Sequence, residues 1–86
     1  MLRVYFKPTF VRQFRALPLA LQAEVIEKIE LFKNHKNHTQ LKVHKLKGPL
    51  AGRYSFSVDY NTRIVFIYQK PNSAVLLVIG DHDVYK

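Results

Sequence analysis

The spacing of apolar residues changes at Arg53, and this change constrains the fold more than any other feature of the 86-residue chain. Before it, Phe10, Phe14 and Leu17 recur at i, i+4 and i+7, the stripe of an amphipathic helix. After it, apolar and polar residues alternate over 54–59, the period of a strand with one buried face. A helical first part and a sheet-forming second part predict an α+β domain.

Two helices are expected in the first part of the chain, after a short first strand over residues 2–6. Pro8 stands where a first helical turn tolerates proline, and Pro18 separates the two helices. The second helix has an apolar face made of Leu21, Val25, Ile29 and Phe32. Residues 33–52 have little periodicity and are predicted to form a basic loop held down by its few leucine and valine residues.

The rest of the chain predicts a hairpin followed by a third, central strand. A turn at Tyr60 separates two alternating segments, and 71–73 forms the next turn before the continuous apolar run 75–79. The expected order is therefore β-α-α-β-β-β in one domain over 1–86. Its sheet is expected to be twisted and largely antiparallel, with the two N-terminal helices packed on one face and the other face open.

The charge of the chain favours a polyanionic partner. Fourteen Lys and Arg residues against six Asp and Glu residues give a formal net charge of +8, and no carboxylate occurs between Glu30 and Asp59. Such a surface binds phosphate groups, which predicts nucleic acid as a target. The chain has no cysteine, no signal-like N-terminal segment and no apolar run of membrane-spanning length. These features predict a cytoplasmic protein without a membrane partner.

Side-chain parity in the predicted hairpin brings several polar residues to the open face. If Phe56 and its apolar neighbours point to the helices, Ser55 and Ser57 point away from them, and Arg63 can share their side. His82 and Tyr85 follow the last strand. Arginine offers a bidentate fork for phosphate, histidine exchanges protons near neutral pH, and tyrosine stacks on bases. The pattern predicts a phosphate site on this face.

Each of these residues also has a simpler interpretation. His82 can be a solvated surface group between two aspartates, and Arg63 can be an ordinary edge-strand charge. Tyr85 can pack over the sheet edge, and the two serines can be plain solvent-facing positions. His35 and His38 are spaced like a pair of metal ligands, but no cysteine or nearby carboxylate completes a set, so no metal site is predicted.

Four stretches together resemble the RelE/ParE superfamily of bacterial and archaeal type II toxins. They are 44–48 (HKLKG), 52–55 (GRYS), 60–66 (YNTRIVF) and 80–85 (GDHDVY). Within this superfamily, the chain resembles the group of RelE, YoeB and YafQ. These are ribosome-dependent endonucleases that cut messenger RNA codons in the ribosomal A site. The resemblance implies one RelE/ParE-like toxin domain and an RNA cleavage that needs no cofactor.

The resemblance also implies roles for individual residues. His44 lies where similar toxins place a histidine or glutamate proposed as base, and Arg63 matches the arginine that grips the scissile phosphate. His82 matches a proton-exchanging histidine, and Tyr85 falls where an aromatic residue stacks on the substrate. RelE has lysines on the strand that here carries Ser55 and Ser57, so the hypothesis is that the two histidines divide the base and acid roles. Weaker candidates for phosphate contacts are Lys47 and Arg53.

The partners implied by the resemblance are a cognate antitoxin, messenger RNA in the A site and ribosomal RNA. The antitoxin is expected to fold onto an apolar groove along the helices, and operator DNA would be reached only through it. Lysines expected to contact ribosomal RNA are Lys33, Lys36, Lys42 and Lys45. Two alternatives remain open: a ParE-like poison of DNA gyrase, and an inactive protein that only regulates transcription with its antitoxin.

Overall fold

A five-stranded sheet forms the centre of the structure, a computed structural model that describes residues 1–85. The strands are β1 (Arg3–Phe6), β2 (His44–Lys45), β3 (Tyr54–Ser57), β4 (Arg63–Gln69) and β5 (Ser73–Gly80). Their spatial order is β1-β5-β4-β3-β2; β1 is parallel to β5, and the other neighbours are antiparallel. The predicted α+β fold with a largely antiparallel sheet is confirmed.

The short strand β2 was not expected, because its residues fall in the segment predicted to be a basic loop. His44 pairs with Ser55 and Lys45 pairs with Tyr54, which adds a fifth strand at the edge of the sheet. Two residues are too few to show a period in sequence. The prediction that apolar residues anchor this segment is confirmed at Leu41, which is buried in the core.

Two helices cover one face of the sheet, as predicted. Helix α1 spans Pro8–Arg15 and begins with its proline in the first turn, and helix α2 spans Leu19–Phe32. Gln13 ties α1 to the sheet, because its Oε1 accepts a 2.9 Å hydrogen bond from the N–H of Ile79. Ile79 lies in the part of β5 that extends past its pairing with β1. No helix within residues 1–85 is long and apolar enough to cross a membrane.

Packed phenylalanine rings, one pair stacked and one pair edge-to-face, join the helices to the sheet. Phe32, at the end of α2, is fully buried, and its ring centroid lies 4.4 Å from that of Phe56 and 4.7 Å from that of Phe66. Aromatic pairs of this kind contribute about 0.5–1.5 kcal/mol each beyond the area they bury. This cluster therefore fixes which face of β3 and β4 points to the helices.

The C-terminal segment differs from the prediction that the sheet has one open face. After β5 ends, His82–Tyr85 form a 3₁₀ helix that packs on β4 and β5, and Asp81 Oδ1 caps it by accepting the N–H of Asp83 at 2.9 Å. A Cβ atom on Gly80 would lie 2.8 Å from Val84 Cγ1, so any larger residue at this position would force the Val84 side chain to move. The face opposite the helices is thus partly covered.

Removing the ring of Phe32 should destabilise the protein severely. Large-to-small changes at a buried phenylalanine cost about 3–5 kcal/mol, a large part of the about 5–15 kcal/mol that stabilises a typical domain. The free energy of unfolding from urea titrations should fall by this amount in Phe32→Ala and by less in Phe32→Leu. The matched control Leu19→Ala, at an exposed helical position, should change it by no more than about 0.5 kcal/mol. Equal losses for Phe32→Ala and this control would contradict the assignment.

Candidate active site

A strip of polar side chains, which we call the polar strip, crosses the sheet on the face opposite the helices. His44 lies directly opposite Ser55 across β2 and β3, and Ser57 lies directly opposite Arg63 across β3 and β4. Directly paired residues of antiparallel strands place their side chains on the same face, with Cβ atoms ~4.5–5.5 Å apart. The predicted parity is therefore confirmed, and β2 adds His44 to the same face.

His44 presents one ring nitrogen as a proton acceptor. Its Nδ1 lies 2.8 Å from the carbonyl oxygen of Lys42, and because a carbonyl can only accept, Nδ1 carries the proton and donates it. In the neutral ring, Nε2 is then left with its lone pair. Lys42 has φ of 59°, a left-handed conformation that is uncommon for a residue other than glycine, and it lies two residues before the histidine that its carbonyl orients.

Arg63 is held by the β3–β4 turn through one half of its guanidinium. Nη1 donates hydrogen bonds to the carbonyl oxygens of Asp59 at 2.6 Å and Thr62 at 3.2 Å. No acceptor within residues 1–85 takes a hydrogen bond from Nη2 or Nε. A fixed arginine with one donating edge unused can bind an anion on the sheet face.

The carboxylate of Asp59 is committed to the turn that holds Arg63. Its Oδ1 accepts the N–H groups of Asn61 at 2.9 Å and Thr62 at 2.8 Å. Desolvation raises the pKa of Asp59, but hydrogen bonds from Thr62 and Asn61 and the charge of Arg63 outweigh it and lower that pKa below its ordinary value. A lowered folded-state pKa means that this contribution to stability is present at neutral pH and is lost as the pH falls through the lowered pKa.

Ser55 does not offer a free hydroxyl to a substrate, contrary to the prediction that it lies on an open face. The residue is 0% exposed, and its Oγ lies 2.7 Å from the hydroxyl oxygen of Tyr85. This hydrogen bond joins β3 to the C-terminal 3₁₀ helix across 30 residues of sequence. Ser55 therefore anchors Tyr85, while Ser57, which is half-buried, keeps its place beside Arg63.

His82 lies at the same end of the sheet as Arg63. Gly80 of β5 is the direct partner of Arg63 on β4, and the exposed His82 follows two residues later at the start of the C-terminal 3₁₀ helix. Its ring centroid is 6.4 Å from that of Tyr85. His82 and Tyr85, the two site residues predicted from the end of the chain, thus belong to one short helical turn beside the polar strip.

Lys47 and Arg53 lie beyond the end of this strip that is farther from Arg63. Both are exposed, in the connection between β2 and β3, and the N–H of Leu46 donates to the carbonyl of Arg53 at 2.9 Å. At ~3.3 Å per residue, Arg53 lies ~13 Å along the strand from Ser57. The structure does not bring them together with Arg63. Lys33, expected to contact ribosomal RNA, forms a 2.7 Å ion pair with Glu30.

A cationic pocket of about 350 Å³ next to the strip was missed by reasoning from sequence. Its polar lining includes Lys28 from α2, Lys42, Tyr60 from the β3–β4 turn, and Arg63. In the sequence, Lys28 falls in the second predicted helix and Tyr60 in a predicted turn. Sequence carries no signal that three segments so far apart meet at the end of β3.

A second concavity, which we call the helix groove, lies between the two helices. It has a volume of about 230 Å³ and is lined by the apolar side chains of Phe6, Phe10, Val11, Phe14, Ile26 and Ile29. Phe6 and Ile26 are exposed although both are large and apolar. Arg12 and Arg15 lie at its margin, where they line an adjoining depression together with Phe6.

The hydrogen bond between Ser55 and Tyr85 should appear as an energetic coupling. Ser55→Ala and Tyr85→Phe should each lower the free energy of unfolding by about 0.5–1.5 kcal/mol, because each removes the same bond. The double variant should then lose less than the sum of the two, measured in urea as a double-mutant cycle. Ser57→Ala, paired in the same way with Tyr85→Phe, is the control and should be additive. Strict additivity in the Ser55 cycle would show that the bond contributes nothing.

No protein-family model matches the chain, and a search of curated protein sequences finds no relative. Solved structures do match. The toxin–antitoxin complex RelBE2 of Mycobacterium tuberculosis contains a chain that is 21% identical, with 94% of this chain and 98% of that chain covered and a TM-score of 0.76.

Two further solved structures cover nearly the whole chain. A chain of the YoeB–YefM complex of Staphylococcus aureus is 19% identical, with coverage of 95% of this chain and 98% of that chain and a TM-score of 0.74. YafQ of Escherichia coli is 9% identical, with coverage of 98% and 97% and a TM-score of 0.69. At these identities the likeness shows the fold. The fold implied by the sequence resemblance is confirmed: this chain has the fold of the RelE, YoeB and YafQ toxins.

Proposed function

We propose that the chain is the toxin of a type II toxin–antitoxin system and an endoribonuclease that cuts messenger RNA in the ribosomal A site. The observation that carries the proposal is the polar strip. It places a histidine whose Nδ1 is held by a main-chain carbonyl, with Nε2 left for proton exchange, on the same face as an arginine whose guanidinium has an unused donating edge. The solved structures that share the fold include RelE, YoeB and YafQ toxins, which supports the same conclusion.

The strip has the groups that RNA cleavage by an internal nucleophile requires. His44 Nε2 takes the proton of a ribose 2′-hydroxyl, and the freed oxygen attacks the adjacent phosphorus. Arg63 donates from Nη2 and Nε to the phosphate oxygens as negative charge builds up in the transition state. His82 gives a proton to the departing 5′-oxygen. The products are a 2′,3′-cyclic phosphate and a 5′-hydroxyl, and the reaction needs no cofactor.

The span of the strip suits a substrate that bridges it. His44 on β2 and Arg63 on β4 lie on either side of β3, two strand spacings or ~10 Å apart across the sheet and two residues or ~7 Å apart along it. A ribose and its phosphate lie between such groups. Tyr85, held by Ser55, supplies an aromatic ring beside His82 on which a base can stack.

The helix groove is the proposed binding site of the antitoxin. It is wholly apolar in lining, which suits the apolar face of an amphipathic helix. Arg12 and Arg15 at its margin would pair with acidic residues on the edge of that helix. The RelBE2 and YoeB–YefM structures are complexes of a toxin with its antitoxin, which supports a partner of this class. Ribosomal RNA would contact the basic surface, and operator DNA would be bound only through the antitoxin.

Cleavage should depend on the strip residues and on the ribosome. In a translating reaction mapped by primer extension, the wild type should cut messenger RNA within codons, and no cuts should appear without ribosomes. His44→Ala, Arg63→Ala and His82→Ala should each slow cleavage by at least about a hundredfold, since each removes a proton-transfer or charge-stabilising group. Lys70→Gln, an exposed lysine in the β4–β5 turn, is the control and should cut normally.

Two outcomes would contradict the nuclease. Full cleavage by both His44→Ala and His82→Ala would overturn their roles as base and acid. Growth arrest with gyrase-linked DNA damage and no RNA cleavage would instead favour a gyrase poison, which shares the fold without sharing the chemistry.

A charge in the helix groove should weaken antitoxin binding. Ile26 lines the groove and is 56% exposed, so Ile26→Glu introduces a carboxylate at the interface without disturbing the buried core. Titration calorimetry with the antitoxin encoded beside the toxin gene should show an affinity loss of at least about tenfold. Leu19→Glu, at a position that is 82% exposed on the same helix but outside the groove, is the matched control. Equal affinities for both variants would place the antitoxin elsewhere.

A further inference from the structure

We infer that the pocket lined by Lys28, Lys42, Tyr60 and Arg63 is a second nucleotide subsite, in which the cations bind a backbone phosphate and Tyr60 stacks on a base. We call it the turn pocket. The inference rests on the proposed function and deepens it, because the ligand is the RNA nucleotide adjacent to the one that is cleaved. The polar strip alone engages one ribose and one phosphate.

Main-chain hydrogen bonds hold the walls of the turn pocket. The N–H of Ser57 donates to the carbonyl of Leu41 at 2.9 Å, which fastens the 40–42 segment to the end of β3. The N–H of Val58 donates to the carbonyl of Thr62 at 2.9 Å and closes the β3–β4 turn. The turn pocket is therefore formed before any ligand arrives, and its volume of about 350 Å³ is in the range of small-ligand sites.

The charges of the turn pocket favour an anion. It brings together three cationic side chains and the single carboxylate of Asp59, which already accepts two N–H groups of the turn. Lys28 Nζ forms ion pairs at 3.8 Å with Glu24 and Glu27, so these carboxylates share its charge, but the distances are too long for hydrogen bonds and its N–H donors are unused in the described part of the chain. Within residues 1–85 the side chain of Lys42 has neither a hydrogen bond nor an ion pair.

Tyr60 has no role in the fold that would explain a large aromatic ring at this position. It is 87% exposed, and within the described residues its ring stacks on no other ring and its hydroxyl makes no hydrogen bond. The turn around it is held instead by Asp59 and by main-chain bonds. An exposed aromatic ring beside a cationic pocket is the arrangement that binds single-stranded nucleic acid by stacking.

Two residues connect the turn pocket to the polar strip. Arg63 lines the pocket and also projects on the face that carries His44 and Ser57. Lys42 lines the pocket with its side chain, while its carbonyl accepts a hydrogen bond from the Nδ1–H of His44. A strand of RNA whose phosphate sits on Arg63 therefore has its neighbouring nucleotide at the turn pocket. Occupation of that pocket would orient the ribose whose 2′-hydroxyl His44 deprotonates.

Binding of an uncleavable RNA tests the subsite directly. A short RNA with 2′-O-methyl groups throughout and a fluorescent label lacks the attacking hydroxyl, so fluorescence anisotropy reports its affinity for the isolated protein at low salt. Tyr60→Ala should raise Kd about five- to hundredfold, the loss of one base–aromatic stack. Tyr60→Phe should keep the wild-type Kd. Tyr5→Ala, an exposed tyrosine on β1, is the matched control and should also keep it.

The salt dependence of the same binding tests the phosphate contact. Lys42→Gln should lower the slope of log Kd against log salt concentration by about 0.7, the value for one phosphate contact on a single strand. Lys70→Gln should leave the slope unchanged. An unchanged Kd for Tyr60→Ala together with an unchanged slope for Lys42→Gln would overturn the subsite.

The failure of the subsite and the failure of the nuclease are distinguishable. Normal ribosome-dependent cleavage with Tyr60-independent RNA binding would overturn the subsite and leave the nuclease standing. Tyr60-dependent binding by a protein that cuts no RNA would keep the subsite and overturn the nuclease. Since the Tyr60 side chain is almost fully exposed, its replacement should leave the melting temperature unchanged, which verifies that each variant is folded.

Discussion

The packing of Phe32 against the phenylalanine rings of β3 and β4 is the interaction on which the candidate site depends. Phe56 and Phe66 must face α2 to meet it, and side chains alternate strictly along a strand. A slip of one residue in either strand would bury the polar strip and expose the core. The same packing that stabilises the domain therefore places Ser57 and Arg63 on the opposite face.

Most of the fold could be predicted because local patterns carry it. Pro8 and Pro18 mark where the helices begin and separate, and period-two alternation marks β3 and β4. The C-terminal turn could not be predicted, because its position depends on a hydrogen bond between Ser55 and Tyr85, residues far apart in sequence. Parity alone placed Ser55 on the correct face but could not show that this turn covers it.

The candidate site shows the same division between local and tertiary information. The presence of His44, Arg63 and His82 on one side could be anticipated from the resemblance and from parity. The contacts that orient these side chains could not be anticipated. One is the hydrogen bond of the His44 imidazole to the carbonyl of Lys42, a residue with a left-handed backbone. The other is the hydrogen bond of the Arg63 guanidinium to the carbonyl of Asp59 in the β3–β4 turn. Both depend on backbone geometry that no residue pattern encodes. The turn pocket could not be predicted either, because it forms only where α2 and two loops meet in the fold.

The chemistry of the RNA ends produced in a ribosome-dependent reaction tests the central claim most directly. If His44 activates a ribose 2′-hydroxyl and His82 protonates the leaving oxygen, mass spectrometry of the upstream fragment should find a 2′,3′-cyclic phosphate, and the downstream fragment should carry a 5′-hydroxyl. An upstream 3′-hydroxyl with a downstream 5′-phosphate would mean that water, not the RNA, is the nucleophile. That result, or intact messenger RNA in the presence of the folded protein, would contradict the account.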